Sequence, residues 1–174
     1  MRLSPTPLLL AALLGLSQCK KNDPVSALPP ETQTGVNTFG CLVNGQPWTP
    51  QGNDGTSNYN VSYDPTYYGG SLSVNVYRLN NGFAQYIIFG CDSISGIGSY
   101  SLNHPSRSAF FTDTQSPIAC QNYDGNLGQH RRGHLIITRL DLKAGIVSGT
   151  FAFTLYKPGC DSVRITQGRF DRKL

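Results

Sequence analysis

The sequence predicts an all-β domain, either an antiparallel β-sandwich or a small β-barrel, and three observations carry that expectation. Apolar and polar residues alternate in several short runs, so each run turns one face to a core and the other to water. Turn dipeptides separate the runs, Asn44-Gly45 and Asn81-Gly82 most plainly. Beyond the first residues, no window of helical length combines 3.6-residue periodicity with capping residues. Many short strands punctuated by turns make a sandwich or a barrel.

The chain opens on a different pattern. Arg2 is the only charge before residues 8–16, which are all Leu, Ala or Gly. As a helix that run would span about 14 Å, half the core of a bilayer, too short to cross it. A basic start followed by a short apolar run makes a secretory signal over residues 1–18. It ends in Leu16-Ser17-Gln18-Cys19, which resembles a lipobox, so Cys19 is expected to carry the lipid, with acyl chains such as palmitate. Residues 19–36, rich in Pro, Asn, Gln and Thr, read as a flexible tether, and 37–174 as the β domain.

Within the domain, residues 38–43 run into Asn44-Gly45 and then Gln46-Pro47-Trp48; Pro47 cannot donate to a ladder, which places this second strand at an edge. In residues 71–78, Leu72, Val74 and Val76 point one way and Ser73, Asn75 and Tyr77 the other. Residues 84–91 are apolar on both faces, as a central strand is. Residues 135–142 and 146–156 form a hairpin about Lys143-Ala144-Gly145, with Val147, Phe151, Phe153 and Leu155 on one face and Ser148, Thr150 and Thr154 on the other. In the last strand, 162–171, Phe170 is out of phase with Val163 and Ile165, so a bulge near Gln167-Gly168 is needed to turn it inward.

Several of these segments resemble the opening and closing halves of a family of uncharacterised lipoproteins of Bacteroidota type. The opening is Asn37-Thr38-Phe39-Gly40-Cys41-Leu42-Val43-Asn44-Gly45 with Trp48 and Pro50. The closing half comprises Ile137-Thr138-Arg139-Leu140-Asp141, Ile146-Val147-Ser148-Gly149-Thr150-Phe151 and Ile165-Thr166-Gln167-Gly168-Arg169-Phe170-Asp171. The resemblance covers most of residues 36–171. It implies a β-rich domain of unknown function at the outer membrane and carries over no catalytic residue.

Export sets the expectation for cysteine. Apart from Cys19 the chain has Cys41, Cys91, Cys120 and Cys160, an even set that suits two disulfides in an oxidising compartment. Because chain ends tend to meet, Cys41–Cys160 and Cys91–Cys120 are the favoured pairs.

Candidate chemistry is sparse. The formal charge of +4 is too small to argue for nucleic acid. Glu31, in the tether, is the only Glu, so carboxylate chemistry in the domain would fall to Asp. His130 and His134 enter a strand, where positions four apart lie about 13 Å from each other, too far to share a zinc. Ser71, Ser93 and Ser148 lie in alternating or turn contexts, with no nucleophile elbow. Nothing pairs Asp113, Asp124 or Asp161 with a partner acid, and Asn53-Asp54-Gly55 reads as a turn. No metal and no cofactor is expected.

The most suggestive feature is aromatic. Tyr59, Tyr63, Tyr67 and Tyr68, among Asn and Asp, offer flat apolar faces beside directional hydrogen bonds, a surface suited to a glycan or a protein ligand. The expectation is a non-catalytic binding or structural module held at the outer membrane. The alternative is an exported hydrolase acting on envelope or environmental polymers.

Overall fold

Alternating strands bury one face each only when two sheets close over them, and the computed structural model, which describes residues 23–104, 106–124 and 129–174, shows that arrangement. Among these residues the strands are β1 (Thr38–Val43), β2 (Gln46–Trp48), β3 (Tyr59–Asp64), β4 (Ser71–Asn80), β5 (Phe83–Cys91) and β6 (Gly98–Ser101). They continue with β7 (Arg107–Asp113), β8 (Asn122–Tyr123), β9 (His130–Asp141), β10 (Ile146–Tyr156) and β11 (Val163–Lys173). An antiparallel six-stranded sheet, β2-β1-β11-β10-β9-β6, packs on a five-stranded one, β3-β4-β5-β7-β8. Both sheets keep free edges, so the fold is a β-sandwich and not a barrel.

The inward faces meet in a core rich in rings. Phe151 lies 4.5 Å from Phe89 and 5.3 Å from Phe39. Edge strand β2 contains Pro47, and β5 is central in its sheet, as alternation and composition require. The bulge is present. Gln167 adopts φ of +52°, and the registers of both neighbours slip beside it, between Gly40 and Leu42 on β1 and between Phe151 and Phe153 on β10. The extra residue brings Phe170 into the core at 2 % exposure.

Two expectations are corrected. Residues 1–22, with the signal and Cys19, lie outside the described residues, but 23–36 are no free tether. This strap runs across the outer face of the six-stranded sheet and docks on Asp171. Leu28 is buried, and Pro29 packs on Gly40. The Asp171 carboxylate accepts from Thr32 Oγ1 at 2.8 Å, from the backbone N–H groups of Thr34 and Gly35 at 2.9 Å, and from Ser148 Oγ at 2.7 Å. Composition underestimates such a segment because a buried carboxylate orders it through its backbone, with little apolar area involved. The second correction concerns the cysteines. Cys120 and Cys160 form the disulfide, while Cys41 and Cys91 are free and buried, in place of Cys41–Cys160 and Cys91–Cys120. The chain ends do meet, but through the β1–β11 ladder, which leaves Cys41 facing the core. Burial raises both free thiols, Cys91 to about 11, so neither is an activated nucleophile.

Candidate functional site

On the core face of the five-stranded sheet, the apolar rows end in a polar one. Val76, Ile87 and Phe111 lie side by side across β4, β5 and β7, and in the row two residues beyond, Arg78 pairs with Gln85 and Gln85 with Asp113. Their parity is inward, so three polar side chains point between the sheets where the sandwich opens. Gln85 is held from both sides. Its Oε1 accepts from Trp48 Nε1 and from Arg78 Nη2, both at 2.9 Å, and its Nε2 donates to Asp113 Oδ2 at 2.8 Å. These bonds fix the amide orientation, and the Arg78 guanidinium also lies 5.6 Å over the Trp48 ring.

The row forms one wall of a half-open cleft of about 740 Å³. The opposite wall comes from Val43, Asn44 and Val163 of the six-stranded sheet and its turns. Its rim is the Cys120–Cys160 disulfide, which ties the β7–β8 connection to the loop before β11, with Cα atoms 5.7 Å apart. Beside it the Tyr123 hydroxyl donates to the Asp161 carbonyl. The cleft has the size of a small-molecule site and its composition: apolar walls from Val43, Phe111 and Val163, with a few placed donors and acceptors.

The tyrosines do not form one surface. Tyr59 is 6 % exposed, part of the core, and its hydroxyl donates to the Asp171 carbonyl. Tyr63 is half-buried and donates to the Ile94 carbonyl at 2.6 Å. Both point inward because β3 alternates, and desolvation raises both phenols. Tyr67 and Tyr68, in the turn after β3, are 56 % and 68 % exposed and pack edge to face at 4.4 Å. They sit by the Ser71 end of β4, about 23 Å along the strand from Arg78, and do not line the cleft.

The remaining candidates fall in separate places. His130 and His134 lie exposed on β9, His130 stacked on Tyr156 at 4.5 Å. Among the described residues, no group of three His, Cys, Asp or Glu converges as metal ligands would. Asp124 is bonded to Gln129, and Asp54 closes its turn by accepting from Thr56 and Tyr77. Those bonds, the one from Thr56 Oγ1 foremost, hold the Asp54 carboxyl below its usual range.

Arg78, Gln85 and Trp48 were not singled out from the sequence as functional residues. Their available signal was parity, since each of Arg78, Gln85 and Asp113 continues an inward-facing apolar series with a polar residue. Comparison with protein-family models, curated proteins and solved structures finds no match to this chain.

Proposed function

We propose that the chain is an exported lipoprotein, anchored at the outer membrane through Cys19, whose β-sandwich is a non-catalytic binding module with its ligand site in the Arg78–Gln85–Asp113 cleft. The observation that carries this reading is the polar row, held by fixed hydrogen bonds at the mouth of an otherwise apolar sandwich. A core face has no packing reason to end in a guanidinium, an amide and a carboxylate beside an open cavity. Rigid placement of such groups favours binding, because little side-chain freedom is lost when a ligand arrives. The lining supplies directional donors and acceptors and contains no His and no free thiol, which suits recognition better than proton transfer. A glycan or a peptide offers the matching mixture of hydroxyl or amide groups and apolar faces.

The test has two arms. In cells, Cys19→Ala should release the protein from the membrane fraction; a variant still membrane-bound after a high-salt wash defeats the anchor. In solution, glycan and peptide arrays probed with wild type supply hits for titration. Arg78→Ala and Asp113→Asn should each weaken a hit about ten- to hundred-fold, the worth of one hydrogen bond to a charged group. Thermal melts of both variants establish that they fold. Hits unaffected by either variant, but lost when Tyr67 and Tyr68 become Ala, would move the site to that turn.

A further inference from the structure

We infer that the part of the outer face of the six-stranded sheet left uncovered by the strap lies against the anionic headgroups of the membrane that carries the chain. The inference rests on the lipid anchor proposed at Cys19, and the face itself carries the charge argument. Outward residues of β9, β10 and β11 stand there in rows: His130 beside Tyr156, then Arg132, Thr154 and Arg164, then His134 beside Ala152. His130, Arg132, His134, Tyr156 and Arg164 are all exposed. Neither Asp nor Glu occupies any of these rows.

The other half of the same face shows what a satisfied arginine looks like in this molecule. Arg139 pairs with Asp141 at 2.8 Å, and Arg169 lies 4.0 Å from Glu31 of the strap and donates to the Pro29 carbonyl. Among the described residues, Arg132 and Arg164 make no side-chain hydrogen bond or ion pair; Arg164 is held only through its backbone, to Asn44. They flank Thr154 on strands two apart, so about 10 Å separates their Cα atoms. Two like charges at that spacing, with no carboxylate paired to either among the described residues, are complementary to anions outside the fold.

Geometry brings those anions within reach. The strap is docked from its first turn, Pro24–Ala27, which packs beside β2 at the edge of this sheet. Asp23 is therefore near the sheet, and the residues between it and Cys19 span at most about 14 Å. A free tether of residues 19–36 would have let the domain stand roughly 50 Å away. Docked, it leaves only that short span between the sheet and the lipid, so the cationic rows can come within range of a surface potential that decays over about 10 Å in 0.1 M salt. Each arginine near an anionic surface strengthens binding by about fivefold, and two together by about thirtyfold.

Vesicle sedimentation tests this with the mature chain from residue 19 carrying Cys19→Ser, so that no lipid contributes. Expected is binding to vesicles of phosphatidylcholine with phosphatidylglycerol, weakened by added salt, and little binding to phosphatidylcholine alone. The double variant Arg132→Glu/Arg164→Glu should lose that preference with an unchanged melting temperature, since both side chains are exposed. No preference for phosphatidylglycerol, or one that survives the double charge reversal, overturns the inference. So does binding to a soluble anionic polymer such as heparin without binding to vesicles. Lipidation is read separately, from membrane fractionation of wild type, so failure of the anchor and failure of the headgroup contact give different results.

Discussion

Asp171 is the residue on which the strap depends. It is 1 % exposed, and burial alone would raise its pKa; the bonds from Ser148, Thr32, Gly35 and Thr34 outweigh that and hold the carboxyl below the usual aspartate value. Three consecutive N–H groups, of Thr34, Gly35 and Val36, converge on it, a concavity that needs Gly35 at φ of +74°. Asp171→Asn keeps one acceptor and puts an amide donor against those N–H groups, so it should destabilise the protein by about 2–4 kcal/mol in urea titration at pH 7. A depressed folded pKa stabilises fully above the unfolded value and is lost as pH falls through the folded one. The difference between wild type and variant should therefore shrink below about pH 4. A difference constant down to pH 3 would show that the charge is not what holds the strap.

Among the elements, β11 bears the heaviest constraint, because it pairs with both β1 and β10 and slips register against each. Its bulge works only with glycine at position 168. A Cβ there would sit 2.4 Å from the ring of Phe151, itself packed against Phe39 and Phe89, so the ring cannot withdraw. Gly168→Ala should cost about 1–3 kcal/mol as an overpacked core does, measured as a shift in the denaturation midpoint. The neighbouring Gln167 is the extra residue and carries the positive φ. Gln167→Ala should keep the fold, since it adds nothing to the core.

At the scale of the molecule, the sheets are joined at the cleft by one covalent bond, Cys120–Cys160, closing a segment with sequence separation 40. Loop-closure entropy assigns such a cross-link about 4 kcal/mol, with about 2–4 kcal/mol usual. Replacing both cysteines with Ala should lower unfolding free energy by that amount and weaken any cleft ligand as the rim loosens. Stability unchanged in the double variant would mean that the β7–β8 and β10–β11 loops hold each other without the bond. The cationic rows and the cleft belong to this scale too, since each joins segments distant in the chain.

What the sequence determined by itself was local. Alternation and turn residues marked β1, β2, β4, β5, β9, β10 and β11 but not β3, β6, β7 or β8, Pro47 marked an edge, the apolar run 84–91 marked a central strand, and the phase of Phe170 required the bulge that β11 contains. These are properties of neighbouring residues, and backbone geometry imposes them wherever the strand ends up. Only the tertiary structure decided which distant groups meet. Parity within each strand is compatible with Arg78, Gln85 and Asp113 facing inward, but the strand that carries Asp113 and their alignment in one row came only from the register of three strands. Cysteine number suggested two bridges, but the loop positions of Cys120 and Cys160 and the core positions of Cys41 and Cys91 allowed one. The polar composition of residues 23–36 pointed to a free tether, until the fold placed a buried carboxylate beneath their N–H groups. In each case the deciding energy comes from long-range contacts, which no window of the sequence contains.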